Sequence, residues 1–313
     1  MDYKTPLIFL IAFTITYSIP LHAGDVVALM SRDLKPFREA IEGFKSVVKQ
    51  DVETIVYDNK RDPEGNDLYD ELSDENIDFI FALGTKALNV SIKQFSHVPI
   101  IFCFVLTPEE SVSQIDSLEN VSIRGVSMTI PPEEQIREIK KISPNIKRIG
   151  VIFDNSKSAT LIARAKKATT MLDMTLVEKE ITQKEQRVNA IYELKDKVDA
   201  ILMIADTTFI SKKSVKHLLL FSFKNNVPII GLSNKYVKKG ALMALSFDYK
   251  DIGLQSGIEL NNFNNKDSNN KNRSGFSTID PRKLNLTINR RTANKQKLSL
   301  SKDILKRAYK VYE

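Results

Sequence analysis

Apolar runs of strand length alternate with amphipathic stretches along most of the chain. The first four runs, at residues 25–30, 52–57, 77–83 and 98–105, are apolar almost throughout. Between them the apolar positions fall at helical spacing. Phe37, Ala40, Ile41, Phe44 and Val47-Val48 mark one face of a helix over about 35–49. Leu68 and Leu72 mark the buried side of an acidic helix that opens at Asp62-Pro63-Glu64 and runs to about Glu75. Gly84-Thr85 breaks the third run, and a helix over 86–95 follows. Buried strands alternating with helices predict a parallel sheet covered on both faces.

The stretch Gly125-Val126-Ser127-Met128-Thr129-Ile130-Pro131-Pro132 closes this series, and a second one follows. Pro132-Glu133-Glu134 opens a helix with proline and acids in its first turn, where a missing N–H and the helix dipole suit them. Strands are predicted over 146–153, 174–181, 198–204 and 227–230, with helices between them; the last of these helices is headed by Asp206-Thr207-Thr208 and runs to about Lys224. A phrase recurs in both series. Ile77-Asp78-Phe79-Ile80, a helix, then Val98-Pro99-Ile100-Ile101 corresponds to Val198-Asp199-Ala200-Ile201, a helix, then Val227-Pro228-Ile229-Ile230. That correspondence predicts a duplicated βα lobe.

Beyond Ile230 the pattern predicts a strand over 241–247, a helix from Asp248 to about Leu260, an exposed Asn/Lys-rich loop over 261–273, a strand over 284–288 and a terminal helix over 301–312. These pieces are too few for a domain, so each must complete a lobe already built. The expected lobes are 24–127 plus 249–277 and 128–248 plus 278–313. The chain then crosses between them near 125–132, near Phe247-Asp248 and near 278–281.

Composition and charge refine this picture. A chain of 313 residues suits two α/β units. Lys4 followed by an apolar stretch over 7–16 and a helix-broken segment ending at Ala23 reads as an export signal over 1–23, with an uncleaved anchor as the alternative. Cys103, the one cysteine, lies inside a strand-like run; it offers no disulfide and stands far from the position of a lipid anchor. Lys+Arg 46 against Asp+Glu 39 gives a net charge of +7. We read these charges as spread along helix faces, apart from a basic tail over 266–307 that is a solvated surface. Export, the acidic helix and a tail without interleaved aromatics argue against nucleic acid.

In open parallel sheets, ligands sit beyond the carboxyl ends of the strands. The residues there are Ser31, Arg32 and Asp33, Gly84 and Thr85, Leu106 and Thr107, Asp154 to Ser156, Asp206, Thr207 and Thr208, Ser233 and Asn234, and Asp248. Most can cap the following helix. Together they ring a cleft with hydroxyls, carboxylates and helix N-termini, a combination suited to a zwitterion. Amides after Gly84 and Asp206 suit a carboxylate, and Asp248 or Asp206 suits an ammonium. Phe104, Tyr236 and Phe247 are the aromatic candidates for apolar contact. No zinc-binding spacing, complete phosphate loop, G-x-S-x-G or G-x-G-x-x-G occurs at a strand exit, so the sequence predicts neither an enzyme, a metal nor a cofactor.

The run 80–108 with Gly84-Thr85 and Val98-Pro99-Ile100-Ile101-Phe102, then 120–127, then 135–153 with Ile142-Ser143-Pro144-Asn145-Ile146-Lys147-Arg148-Ile149-Gly150-Val151, resembles the solute-binding proteins of ABC importers that include tryptophan and tyrosine binders. Leu286-Thr287-Ile288-Asn289, Ala293 and the closing helix are similar to that family's C-terminal signature. The resemblance implies a type I periplasmic-binding-protein fold: two Rossmann-like lobes with parallel sheets, three crossing segments and a ligand enclosed by lobe closure. It implies ligand contacts at Ser31, Gly84, Thr85, Asp206, Thr207, Ser233 and Asp248. It further implies a periplasmic monomer that carries a small polar or amino-acid-like molecule to an ABC permease. The alternative is the same cleft read by a histidine kinase or chemoreceptor. Thr107-Pro108 stands where the family usually shows Asp-Pro.

Overall fold

The structure is a computed structural model and describes residues 25–72, 77–113, 115, 121–264 and 274–313. The expected leader and most of the Asn/Lys-rich loop lie outside the described residues. The first series forms β1 (Asp25–Met30), α1 (Lys35–Lys45), β2 (Val52–Val56), α2 (Asn66–Leu72), β3 (Ile77–Leu83), α3 (Thr85–Gln94), β4 (Ile100–Cys103), α4 (Pro108–Val112) and β5 (Ser122–Val126). The second comprises α5 (Pro132–Ile142), β6 (Arg148–Phe153), α6 (Asn155–Met171), β7 (Thr175–Glu180), α7 (Arg187–Glu193), β8 (Ala200–Leu202), α8 (Lys212–Asn225), β9 (Ile229–Gly231), α9 (Asn234–Lys238) and β10 (Met243–Phe247). The chain ends with α10 (Tyr249–Asn264), β11 (Gly275–Ile279), β12 (Leu284–Asn289), α11 (Arg290–Lys295), α12 (Lys302–Arg307) and β13 (Lys310–Tyr312).

These strands make two separate sheets, in the orders β11-β5-β4-β3-β1-β2 and β13-β12-β10-β9-β8-β6-β7. Every pairing in the first sheet is parallel. In the second, only the β10–β12 pairing is antiparallel. The two-lobe architecture read from the sequence therefore holds. The chain leaves the first sheet after β5, returns from β10 into α10, and leaves again between β11 and β12, giving three crossings.

The recurring phrase occupies matching positions in the two sheets. Ile80 pairs with Ile100 across β3 and β4, and Ile201 pairs with Ile229 across β8 and β9. The Ile80 N–H donates to Pro99 O at 3.1 Å and the Ile201 N–H to Pro228 O at 2.9 Å. Proline lacks a donor but supplies its carbonyl at the start of each second strand.

Each sheet has a core on both faces. In the first lobe, Val27, Leu29, Ile80, Ile100 and Phe102 pack toward α2 and α3, while Val26, Ala28, Phe81, Ile101 and Cys103 pack toward α1 and α10. Burial pushes the Cys103 thiol well above its ordinary pKa despite a hydrogen bond with Ser256, so it stays a neutral packing group. The alternation of faces along β1 leaves a second apolar face, which α10, arriving only after the second crossing, covers together with α1. There it lies against α1 closely enough that a Cβ on Gly253 would sit 1.7 Å from Ala40 O, and one on Gly43 would sit 1.8 Å from Lys250 O.

Several boundaries differ from the sequence reading. Helix α2 starts at Asn66 because the Asp62 carboxylate accepts the N–H groups of Gly65, Asn66 and Leu68 at 2.8, 3.0 and 3.2 Å, which holds 62–65 as a turn. The expected terminal helix stops at Arg307. Residues 310–312 instead pair with β12, and the Tyr309 N–H reaches Leu286 O at 2.8 Å. Strands β5 and β11, paired with each other from Gly275–Ser122 to Ile279–Val126, escaped the sequence reading. Both mix polar and apolar residues, and β11 is an edge strand with one open side.

Candidate functional site

The exits of β1 and β3, which are neighbours in the first sheet, carry Ser31, Gly84 and Thr85. Ser31 Oγ accepts the Ala87 N–H at 2.9 Å, so a side chain from one strand exit satisfies the first turn of the helix leaving the next. Gly84 takes φ 92° as the residue before α3, a conformation open to glycine at little cost. Its own N–H donates to Cys103 O at 2.9 Å. Among the described residues, the N–H groups of Thr85 and Lys86 have no protein acceptor, and Thr85 is exposed. This turn can therefore receive an anion.

The neighbouring exits of β8 and β9 carry Asp206, Thr207 and Ser233. Asp206 is 1% exposed. One carboxylate oxygen accepts the Asp154 N–H at 2.8 Å and the Ser158 hydroxyl at 2.7 Å; the other accepts the N–H groups of Thr208 at 2.8 Å and Phe209 at 3.1 Å. Those four bonds occupy the acceptor sites of a carboxylate. The expectation that Asp206 meets an ammonium is corrected accordingly, since this side chain builds the loop. Asp206 also does not cap α8: Ser211 does, in a reciprocal pair with Ser214.

A second acid completes that loop. Asp154 Oδ2 accepts the Thr208 hydroxyl at 2.7 Å, and Lys157 Nζ donates to Thr208 Oγ1 at 2.7 Å. Hydrogen bonds from Ser156 and then Thr208 hold the Asp154 carboxyl below its usual range. The Arg187 guanidinium donates to the carbonyls of Thr207 and Thr208. The consequence is a rigid turn with Thr207 exposed at its tip.

Asp248 lies in the second crossing, apart from both rims. It ion-pairs with Lys283 at 2.7 Å in the third crossing and accepts the Asp251 N–H at 3.1 Å at the head of α10. Partial burial would raise its pKa, but the Lys283 and backbone hydrogen bonds outweigh that and hold it low. A cavity of about 330 Å³ opens beside it, walled by Lys35 and Glu39 of α1 on one lobe and by Asn234, Asn285 and Tyr309 on the other, with Tyr249 between them. Burial, and then the nearby Glu39 carboxylate, push the Tyr249 phenol up.

Glu39 and Tyr249 were missed in the sequence. The available signal for Tyr249 was its position directly after a crossing; Glu39 sat on a helix face indistinguishable from solvent. Phe104 has φ 61°, an unusual conformation for an aromatic residue, at the exit of β4. Its ring lies 4.6 Å from that of Phe37 and 5.8 Å from that of Tyr249. Leu106, two residues on, is 78% exposed. Phe247 packs on the first lobe's core although it ends a strand of the second. Tyr236 lies on α9 against the second lobe's core, in a groove beside α8. Among the described residues, no group of three His, Cys, Asp or Glu side chains is placed to hold a metal.

Two sheets whose strand exits carry helix N-termini and hydroxyls, joined by three crossings, match a known architecture. Residues 40–312 match the model of the ABC transporter substrate binding protein family. The chain belongs to that family. It is 26% identical to a tyrosine-binding protein of Clostridioides difficile over 184 residues, which are 58% of this chain and 52% of the relative. The chain thus spans about half the length of that curated relative.

Solved structures agree on the fold of this substrate-binding family member. The ligand-free, open structure of a substrate binding protein with adhesive properties from Clostridium difficile superposes with a TM-score of 0.69 at 18% identity, covering 92% of this chain and 99% of the other. An ABC domain in complex with L-Trp from Streptococcus pneumonia superposes with a TM-score of 0.52 at 17% identity, with the same coverage. The family is one of solute binding. Among the described residues, no helix is long and apolar enough to cross a membrane.

Proposed function

We propose that this chain is the exported binding component of an ABC importer and captures an amino-acid-like ligand between its lobes before delivering it to a membrane permease. The lobes comprise 24–127 with 249–277 and 128–248 with 278–313, and they close about the three crossings. The observation that carries this reading is the cavity walled by both lobes that holds the Asp248 carboxylate at the crossing; the Gly84-Thr85 turn, outside the lining of that cavity, offers an anion-receptive strand exit on the first lobe. A zwitterion needs both. The tyrosine-binding relative and the L-Trp complex of a structural neighbour support an amino acid, and the rings of Phe104 and Tyr249 suit an aromatic one.

In this reading Thr85, Gly84 and Thr207 hold the ligand carboxylate, Asp248 with Glu39 holds its ammonium, and Ser31 and Ser233 orient its body. Asp206 acts indirectly by fixing Thr207. Contacts from both lobes form together only when the lobes close, so binding shifts the population toward the closed form.

The test is a thermal melt of purified residues 24–313 against a panel of amino acids. The true ligand at a hundredfold excess over Kd stabilises by about 2.7 kcal/mol. The reading fails if no amino acid moves the midpoint, and the site assignment fails if the shift survives Asp248→Ala and Thr207→Ala undiminished.

A further inference from the structure

The second lobe carries a surface that the cleft does not use. The stretch from Thr207 to Phe247 holds seven lysines and no aspartate or glutamate, against 46 basic and 39 acidic residues overall. The charge is therefore not spread evenly along the helix faces, as the sequence reading had it. On α8, Lys212, Lys216, Leu220 and Phe223 recur at helical spacing and share one stripe. Val215, Leu218 and Phe221 of the same helix enter the core, yet Leu220 is 54% and Phe223 39% exposed. Helix α9 presents Lys235, and the residue that ends it Lys239, opposite, and a groove of about 640 Å³ lies between the two helices. Among the described residues, none of Lys212, Lys216, Lys235 and Lys239 has an ion-pair partner within 4.0 Å, and Lys295 sits 5.6 Å from the Phe223 ring centroid.

A surface of this kind asks for a partner that is both anionic and apolar. A soluble anion would engage the lysines and leave Leu220 and Phe223 in water; a neutral apolar molecule would do the reverse. The stretch contains lysines and no arginine, which suits diffuse attraction to many headgroups better than a fixed bidentate contact. Lysine stems cover apolar surface while their ammonium ends remain at the polar boundary. We propose that this flank docks on an anionic phospholipid bilayer. Leu220 and Phe223 enter the acyl boundary, and Lys212, Lys216, Lys235 and Lys239 meet the headgroup phosphates. The inference does not depend on which ligand the cleft takes.

Flotation of purified residues 24–313 with vesicles tests it. The chain should float with vesicles containing phosphatidylglycerol, stay behind with pure phosphatidylcholine, and be released by added sodium chloride. Replacing Lys212→Gln and Lys216→Gln together should weaken binding roughly 25-fold, on the order of fivefold for each lysine. The pair Leu220→Ser and Phe223→Ser should also weaken it, while Lys195→Gln with Lys197→Gln, on the same lobe but outside the groove, should bind as the parent does. Melting midpoints confirm that each variant is folded. Equal flotation with both vesicle types, no flotation with either, parent-like binding by both groove variants, or displacement by inorganic phosphate at constant ionic strength would each overturn the proposal. The last would indicate a site for a free anion.

Discussion

Gly84 is pressed against Ser31: a Cβ built on the glycine would lie 2.8 Å from the serine Oγ. That Oγ is the atom that accepts the Ala87 N–H of α3. Gly84→Ala therefore sets a side chain against the hydroxyl that organises the anion-receptive turn and also forces φ 92° on a residue with a Cβ. The expected loss is about 1–3 kcal/mol of stability. In calorimetry the variant should bind the cleft ligand more weakly than Ser31→Ala, which frees the Ala87 amide at a cost of about 1 kcal/mol and removes one orienting hydroxyl without altering the backbone of the turn.

Asp206 and Thr207 are adjacent and should behave oppositely. Asp206→Ala leaves four buried donors without an acceptor, and denaturant unfolding should register a loss of about 3 kcal/mol. Thr207→Ala should change stability by less than about 0.5 kcal/mol, as for surface positions generally, while reducing ligand affinity. Equal effects of the two substitutions on unfolding would contradict the loop-building role.

Helices α1 and α10 touch backbone to backbone at Gly253. In Gly253→Ala the new methyl meets a carbonyl oxygen that belongs to a helix, so the helices must part. A loss of about 2–3 kcal/mol is expected from overpacking. Because α10 follows a crossing, hydrogen exchange in the variant should rise in both helices together.

Acid should weaken the second lobe through Glu138, whose side chain is 8% exposed. Burial alone would raise its pKa, but Arg307, at 2.7 and 3.1 Å, and Lys141, at 2.8 Å, reverse that and hold it below the ordinary value. A carboxyl lowered on folding contributes stability that is fully present above its unfolded pKa and is lost as pH falls through its folded pKa. Glu138→Gln should cost about 1–2 kcal/mol at neutral pH, allowing for solvent screening at the half-exposed Arg307. Urea midpoints of parent and variant should then begin to approach each other as pH falls below about 4, the ordinary carboxylate range, and meet only below the lowered folded pKa.

The repeated phrase around β3–β4 and β8–β9 was legible because it encodes buried parallel strands, which are apolar apart from one acid at the start and need no partner to be recognised. Strands β5 and β11 were not legible, because β11 has β5 as its one neighbour, far away in sequence, and neither has a decisive pattern. The placing of Ser31, Gly84, Thr85 and Thr207 after strands was legible from the apolar runs that precede them, and the rule that ligands meet strand exits is what makes them candidates. Nothing local distinguished Asp206, a loop-building acid, from Asp248, which lies at the cavity between the lobes.

The sequence alone determined the strand and helix series, its duplication and the family, since these depend on periodicity and on local order. Tertiary structure decided how closely α10 lies against α1, that Asp206 is saturated while Thr207 is presented, and that Glu39 and Tyr249 share a cavity with Asp248. The physical reason is common to all three. Hydrogen-bond saturation and close helix contact depend on groups brought together from distant parts of the chain, whereas periodicity is a property of neighbours.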